Sequence, residues 1–388
     1  MIVTLKDITT KITKGTTPTS IGCKFEKSGI NFIKSESLVD GKTIDKSKFA
    51  FISERTHERL KRSQIEKNDI LFSMAGMFLG KTGIATAEVV PANTNQAVAI
   101  IRVDDTKANY EYVYYYLNQK SVIHTINTTS AQSAQPNINL KQIGEIKINL
   151  PDRKKQDQIV SLLSAIDLKI SNNVEINDNL EQQAAALFSS LYNRSNTEVR
   201  YTDLIQILGG GTPKTGETAY WNGNIAFFTP KDVGTPYTFI TEKTITEEGL
   251  SHCNSRLYPV NTVFVTARGT VGKVGLSGVP MAMNQSCYAL VGKKTHQLLV
   301  YFYTLKAVDR LKHKASGAVF DAITTRDFDS EQIMKLSDDD AKAFLCVAEP
   351  MFQEILNNSI ENLRLSTLRD FLLPKLMSGE IGVSSVQL

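Results

Sequence analysis

Two long heptad patterns constrain the fold of this chain more than any other feature of its sequence. In the first, over residues 156–191, apolar residues recur at alternating steps of four and three, with no proline or glycine between them. That spacing predicts a helix with one continuous apolar seam. Such a helix would be about 55 Å long at a rise of 1.5 Å per residue. Because one helix cannot bury this seam alone, the chain must supply a second one.

A matching seam lies 185 residues later, over residues 344–376. Both seams are interrupted by two asparagines in the same two layers: Asn173 and Asn177 in the first, Asn358 and Asn362 in the second. Asparagines at seam positions commonly set the register of paired helices at some cost in stability. The alternative is that they are solvated where a seam frays. We predict two long helices packed on each other.

The second helix is expected to be less regular than the first, because Pro350 and Pro374 should bend or end it. The seam positions that we single out are Ile159, Leu163, Ile166, Ile170, Asn173, Asn177, Leu180, Leu187, Phe344, Met351, Ile355, Asn358, Asn362, Leu365 and Leu372.

The segments outside the two helices also repeat, and their order is the same in both halves. The matching pairs are residues 15–18 with 210–213, 30–33 with 225–228, 68–72 with 261–265, 80–83 with 272–275, 95–96 with 284–285 and 138–141 with 323–326. This pattern indicates a tandem duplication in which each half is a globular domain followed by a long helix.

Composition places the protein among ordinary globular proteins. Its 388 residues suggest two or three domains, and 41% hydrophobic and 22% charged residues are typical values. The net charge of +4 permits nucleic-acid binding without arguing for it. The four cysteines form no CxxC pair, which disfavours structural zinc and favours a reducing cytoplasm. We expect no signal peptide and no membrane span, since no apolar run approaches about eighteen residues.

Short β-prone runs separated by Gly, Pro, Asn and Asp dominate the globular parts, and helical stretches such as residues 110–127 are fewer. We therefore predict an α+β fold with two β-rich domains. The expected boundaries are residues 1–150 for the first domain, 151–195 for its helix and linker, 196–336 for the second domain, and 337–388 for the second helix and tail.

No catalytic constellation emerges from the sequence. Residues 76–82 (GMFLGKT) resemble a phosphate loop but have three residues between the glycines where the Walker pattern needs four. A glycine-rich turn between strands is the better interpretation, either a plain hairpin or one that presents Lys81 and Lys273 to DNA phosphate. The five histidines form no metal-ligand pattern, so we expect neither a metal nor a cofactor bound by this chain.

Polar and basic residues at corresponding positions of the two domains remain as candidates for DNA contacts. Arg, Asn and Gln side chains read base edges, while Lys, Ser and Thr bind phosphate. For each single residue a solvated loop position is the alternative, and the Asn-Gln pairs could equally cap turns. The candidates are Lys34, Ser35, Lys81, Thr82, Asn95, Gln96 and Gln135 in the first domain, and Thr229, Lys231, Arg268, Lys273, Asn284, Gln285 and Arg326 in the second.

The helices carry a resemblance to a known family. Leu150-Pro151, the seam that follows, and residues 180–188 (LEQQAAALF) resemble the central conserved region of type I restriction-modification specificity (S) subunits. Residues 371–381 (FLLPKLMSGEI) resemble the distal conserved region. The second half departs from the pattern, with Leu-Ser at residues 336–337 in place of Leu-Pro, and Ala341 opposite Gln156.

The resemblance implies a non-catalytic subunit that binds double-stranded DNA. Each globular domain would be a target recognition domain for one half of a bipartite site, and the helices would form an antiparallel coiled coil that sets the spacer. Two methyltransferase subunits, carrying S-adenosylmethionine, would dock near the helices, and restriction subunits would join them.

Two alternatives fit the residues without the resemblance. A coiled-coil adaptor that binds protein or carbohydrate explains the repeat and the missing active site equally well. An enzyme with an unrecognised site would need carboxylates that converge in a pocket of one half only.

Overall fold

The structure is a computed structural model that describes residues 1–39, 41–130, 137–234, 236–314 and 322–386. It divides into two units, the first formed by Met1–Leu168 and Leu365–Leu388, the second by Lys169–Arg364. Each unit contains one β-rich domain together with a part of each of two long helices, so both helices pass from one unit to the other.

The first domain begins with a strand and ends at a long helix. Its strands are β1 (Ile2–Thr4), β2 (Thr9–Lys14), β3 (Ile30–Ile33), β4 (Ala50–Ile52), β5 (Gln64–Ile65), β6 (Ile70–Ser73), β7 (Thr82–Ile84), β8 (Ala92–Thr94), β9 (Val98–Val103) and β10 (Lys147–Asn149). Its α-helices are α1 (Glu54–Arg59), α2 (Tyr110–Leu117), α3 (Lys120–Ser130) and α4 (Leu140–Gly144), followed by the long helix α5 (Arg153–Arg194).

Two four-stranded sheets form this domain. One has the order β2-β9-β6-β7 and is antiparallel throughout, with Leu71 opposite Ile100. The other has the order β4-β3-β8-β5, in which β3 and β8 are parallel. Strand β6 is fully buried because all four of its residues pack inside, and it is the centre of the domain. Strand β1 pairs with β10, which ties the start of the chain to the strand that leads into α5.

The second domain repeats this layout. Its strands are β11 (Thr197–Arg200), β12 (Ile205–Gly209), β13 (Trp221–Phe228), β14 (Tyr237–Thr238), β15 (Lys243–Ile245), β16 (Val263–Thr266), β17 (Val274–Ser277), β18 (Met281–Met283), β19 (Cys287–Gly292) and β20 (Gln332–Lys335). Its helices are α6 (Tyr201–Leu204), α7 (Glu247–Ser251), α8 (Gln297–Lys314) and α9 (Thr325–Ser330), and the long helix α10 (Asp338–Ser378) follows.

Sheet topology confirms the predicted α+β class and its internal duplication. The order β12-β19-β16-β17 repeats β2-β9-β6-β7, with β14 added at one edge. The parallel pair β13 and β18 repeats β3 and β8. Even an unusual backbone position repeats, because Asn68 and Asn261 precede β6 and β16 with φ of 71° and 69°. Asparagine tolerates this left-handed conformation better than most residues that carry a side chain.

In the second unit, α5 and α10 run antiparallel and their asparagines pair. Asn173 Nδ2 donates to Asn362 Oδ1 at 2.9 Å and to the Glu361 carboxylate at 2.7 Å. Asn358 Nδ2 donates to Asn177 Oδ1 at 3.0 Å. Asn173 is fully buried, and Asn177 and Asn358 are buried as well. Asn173 therefore contacts Asn362, the repeat counterpart of Asn177, and Asn177 contacts Asn358, the repeat counterpart of Asn173. Antiparallel packing of two repeated helices produces this exchange of partners.

The helices also run antiparallel in the first unit, where the Arg369 guanidinium donates to Asp167 at 3.0 Å. In both units the seam positions selected from the sequence are all buried or half-buried. Among the described residues, no helix is both long enough and apolar enough to cross a lipid bilayer.

Two details of the helices differ from what the sequence suggested. Helix α10 ends at neither Pro350 nor Pro374 but continues through both to Ser378. Residues 110–127 form two helices because Asn118 closes α2, where its side chain donates to Tyr114 O at 2.7 Å and to Thr82 at 2.7 Å.

Candidate nucleic-acid interface

Two loops of the first domain lie side by side at one edge: residues 15–18 and the Asn95–Gln96 turn. Gly15 comes so close that a Cβ there would lie 1.9 Å from the Thr94 carbonyl oxygen, so only glycine fits. The Thr17 hydroxyl donates to Gln96 Oε1. Because the Gln96 oxygen is engaged and the side chain is exposed, its amide N–H groups are the part that faces outward.

The second domain has the same pair of loops with the same contacts. A Cβ on Gly210 would lie 2.3 Å from the Asn284 carbonyl oxygen. The Thr212 hydroxyl donates to Gln285 Oε1, and Gln285 is exposed as Gln96 is. The duplication therefore preserved a threonine-glutamine hydrogen bond across two loops that are far apart in sequence.

The asparagine of each Asn-Gln pair supports its own turn. Asn95 Oδ1 accepts a hydrogen bond from Ala97 N at 3.1 Å, and Asn284 Oδ1 accepts one from Ser286 N at 3.0 Å. Such bonds between an asparagine and the backbone two residues later are typical of tight turns. Both asparagines are half-buried, which leaves the glutamine as the more accessible member of each pair.

The glycine-rich segments are turns between antiparallel strands, β6 to β7 and β16 to β17. Gly76 and Gly80 in the first turn and Gly269 and Gly272 in the second all have φ between 69° and 84°. Glycine adopts this left-handed region without the steric cost that a Cβ brings.

The polar residues that the sequence predicted at the surface of the first turn are less accessible than expected. Thr82 is buried and exchanges hydrogen bonds with Asn118, so its side chain is not at the surface. Lys81 is half-buried. The exposed tip is instead Met77, with 88% of its surface accessible.

The second turn is basic and internally braced. Arg268 and Lys273 are both exposed. Lys273 N donates to the Thr266 hydroxyl at 2.9 Å, and the Thr270 hydroxyl donates to Pro230 O at 3.0 Å. These bonds join the turn to the strand before it and to the segment after β13.

The segments after β3 and β13 lie in corresponding places but differ in chemistry. Lys34 lies 3.6 Å from Glu36 and 5.6 Å above the Phe25 ring, and Ser35 is half-buried. Thr229 donates from both its backbone N and its hydroxyl to Asp232, at 2.8 and 2.6 Å.

A cavity of about 410 Å³ in the second domain brings several predicted residues together. Thr229, Lys231 and Asn284 all line it. Lys231 lies 3.5 Å from Glu242, which lines the cavity too. Its remaining walls are Pro230, Lys243, Gly269 and Thr270. A hydroxyl, an amide and two ammonium groups around one depression can bind the edge of a base or a phosphate.

Sequence reasoning missed Glu242, Lys243 and Thr270 in this cavity, since the two domains differ at these positions and the repeat gave no signal. It also missed the role of Thr17 and Thr212. The duplication itself could have revealed that role, because both the threonine and the glutamine recur in each half.

The last two candidates are Gln135 in the first domain and Arg326 in the second. Gln135 is outside the described residues. Arg326 is exposed on α9, and the segment before it is fixed by the hydrogen bond from Ile323 N to Ala267 O at 2.9 Å.

The Cys287 thiol, at the start of β19, is buried. Burial raises the pKa of the Cys287 thiol to about 12, so it is protonated at neutral pH and a poor nucleophile. In the described part of the chain, no group of three or more His, Cys, Asp or Glu side chains is placed to hold a metal ion.

Comparison with known proteins matches both halves to one family. The model of the type I restriction modification DNA specificity domain matches residues 1–182 and again residues 193–335. The HindI specificity subunit of Haemophilus influenzae is 22% identical over 82% of this chain and 88% of its own length. The MjaIX specificity subunit of Methanocaldococcus jannaschii is 32% identical over a shorter stretch, 30% of this chain and 29% of its own.

A solved structure has the same fold. The S subunit of a type I restriction-modification system from M. genitalium covers 97% of this chain and 96% of its own, with a TM-score of 0.59 and 15% identity. The adaptor alternative finds no support among these relatives. With two matches of the family model that together span most of its length, this chain belongs to the type I restriction-modification specificity subunits.

Proposed function

We propose that this protein is the DNA-recognition subunit of a type I restriction-modification complex and that it reads a bipartite site. Residues 1–150 and 196–336 each read one half-site. The observation that carries the proposal is the repeated pair of loops, in which the Thr17–Gln96 and Thr212–Gln285 bonds hold an exposed glutamine amide at the same place in both domains. A duplicated reader is what a site with two specific halves requires.

The remaining contributions come from partners. Two methyltransferase subunits dock near α5 and α10, bring S-adenosylmethionine and methylate adenine, and restriction subunits join them for cleavage. This protein itself is non-catalytic and acts in the cytoplasm, where the chromosome lies. The helix pair sets the spacer, and phosphate contacts of basic loop residues such as Arg268 and Lys273 make the affinity sensitive to salt.

Single-molecule sequencing of methylated bases, with the gene intact and deleted, tests this proposal. We expect one bipartite N6-methyladenine motif to vanish on deletion. Replacing residues 1–150 with the corresponding domain of another specificity subunit should then change only one half of that motif. Survival of every methylated motif, while the protein is demonstrably expressed with its methyltransferase, would contradict the proposal.

A further inference from the structure

A groove in the second unit separates the start of α8 from the first turns of α10. It consists of two adjoining cavities of about 690 and 410 Å³. His296, Leu345, Cys346 and Glu349 line both cavities. Leu299, which is 5% exposed, contributes to the apolar floor.

The corresponding place in the first unit is filled. Gln156 is 1% exposed; its Oε1 accepts from Asn109 N at 2.9 Å, and its Nε2 donates to Pro151 O at 2.9 Å. Two turns further along α5, the Ser164 hydroxyl donates to Glu111 at 3.1 Å. These bonds close α2 onto the start of α5.

Ala341 stands in the second half where the first has Gln156. An alanine methyl group can neither reach the neighbouring backbone nor fill the space of a glutamine side chain. Ala341 lines the groove, so the second half has only a methyl group at the position that Gln156 fills in the first.

Two lysines of the groove have no ionic partner within the described ranges, whereas its acidic residues have basic neighbours. Asp203 lies 3.0 Å from Arg200, and Asp338 lies 3.5 Å from Lys335. Glu349 lies 2.7 Å from His296, which balances its charge only when the imidazole is protonated. Lys294 and Lys342, at the rim, are exposed and make no ion pair or side-chain hydrogen bond with any residue that the structure describes. An occupant with carboxylates would complement these two lysines.

We propose that this groove binds an acidic segment of one partner methyltransferase subunit. An apolar side chain of that segment packs on Leu299 and Leu345, and its carboxylates pair with Lys294 and Lys342. At the corresponding place of the first half, the Gln156 side chain fills the space, so the two halves hold their partners by unequal contacts. This inference rests on the proposed function, which supplies the methyltransferase.

The test measures binding of the cognate methyltransferase subunit to the full-length chain by titration at low and moderate salt. The variant K294E/K342E should bind the methyltransferase subunit about tenfold more weakly at the groove of the second half. The salt dependence of that binding should decrease. The variant A341Q restores the side chain of the first half and should weaken binding without changing charge. The control K27E/K67E makes the same change in net charge at exposed lysines of the first unit that lie outside the long helices, and it should bind as the wild type does.

The outcomes separate the two proposals. If the wild type binds and both groove variants bind equally well, the groove is not a docking site, although the proposed function stands. If K27E/K67E weakens binding as much as K294E/K342E, the effect is one of net charge, and the groove proposal is overturned. If the wild-type chain does not bind the methyltransferase at all, the proposed function itself fails.

Discussion

The two domains contact the long helices through side chains of opposite character at corresponding positions. In the second unit, the Phe302 ring of α8 lies 5.0 Å from the Phe188 ring and 5.6 Å from the Phe352 ring. In the first unit, Tyr115 occupies the position that corresponds to Phe302, and Asp167 the position that corresponds to Phe352. The Tyr115 hydroxyl donates to the Asp167 carboxylate. One contact depends on packed rings and the other on charge.

The polar contact is part of a network. Asp167 also accepts from Arg369 at 3.0 Å, and Lys42 contacts Glu111 and lies 4.5 Å above the Tyr115 ring. Burial and the nearby Asp167 carboxylate raise the pKa of Tyr115, so its hydroxyl remains a donor at neutral pH. One duplicated architecture therefore accepts either solution, and the two should respond differently to truncation, salt and pH.

Truncation of the aromatic contact should have the largest effect. Phe302→Ala removes a ring that is 2% exposed and touches four other rings, and it should destabilise the second unit by about 3–5 kcal/mol. Hydrogen exchange of the α8 amides, measured beside that of α2 as an internal reference, would report the loss. Phe371→Ala, at a residue 58% exposed, is the control and should change little. Equal loss of protection in α2 would mean that the two units do not unfold separately.

Removal of the central carboxylate should have an intermediate effect. Asp167→Ala leaves Arg369 and Tyr115 without their shared acceptor and should cost the first unit about 1–3 kcal/mol. Because these groups are partly exposed, high salt should reduce the difference from the wild type. Asp167→Asn keeps an acceptor for the tyrosine hydroxyl and should cost less in the same denaturation experiment. An equal cost for both variants would show that charge, rather than the hydrogen bond, dominates.

Tyr115→Phe makes the first unit resemble the second at one atom. It removes one hydrogen bond to Asp167 and should cost about 1 kcal/mol. The reverse change, Phe302→Tyr, should cost at least as much, since Phe352 stands at the position of Asp167 and its ring offers no carboxylate acceptor. Denaturation of the two variants side by side decides the matter, and a stabilising Phe302→Tyr would disprove the apolar character of this contact.

The smallest effect concerns Glu181, whose carboxylate accepts a hydrogen bond from Tyr301 at 3.0 Å. Burial raises its pKa above the ordinary value of 4.5. A carboxyl with a raised pKa in the folded state stabilises below its unfolded pKa and loses that contribution as pH rises through the folded pKa. Glu181→Gln should therefore raise the free energy of unfolding slightly at pH 7.

The gain from Glu181→Gln should disappear as pH falls below about 4.5. Denaturation at pH 7 and pH 4 measures both values. Glu175→Gln, at an exposed position of the same helix, is the control. A gain that persists at pH 4 would point to packing rather than to ionisation.

Much of the fold could be predicted because the seam and the repeat are local patterns in the sequence. The two asparagines per seam indicated paired helices, and the fixed order of matching segments indicated two copies of one domain. The sequence alone could not show that Asn173 faces Asn362 rather than Asn358, since both partners have the same side chain. Helix α10 does not end at Pro350, because packing over its 41 residues outweighs one lost hydrogen bond.

The candidate interface was harder to predict, since exposure depends on contacts between distant segments. Thr82 matched the pattern of a phosphate contact. Its side chain is instead buried and hydrogen-bonded to Asn118, thirty-six positions later. Ala341 lines the groove where the first half has Gln156. In the sequence this difference is visible only as a departure from the repeat, and it does not indicate a groove.

The threonine-glutamine bond has a consequence for how such a protein changes over generations. In both domains the residues that hold the loops together, Gly15 and Gln96 or Gly210 and Gln285, are the same, while the tips carry Met77 in one and Thr270 in the other. Met77 and Thr270 lie at the tips of the glycine-rich turns and take no part in the Thr17–Gln96 and Thr212–Gln285 bonds, so substitution at a tip leaves those bonds in place. Natural variation can therefore explore new partners at these tips while the paired loops keep their shape, because the two tasks are assigned to different residues.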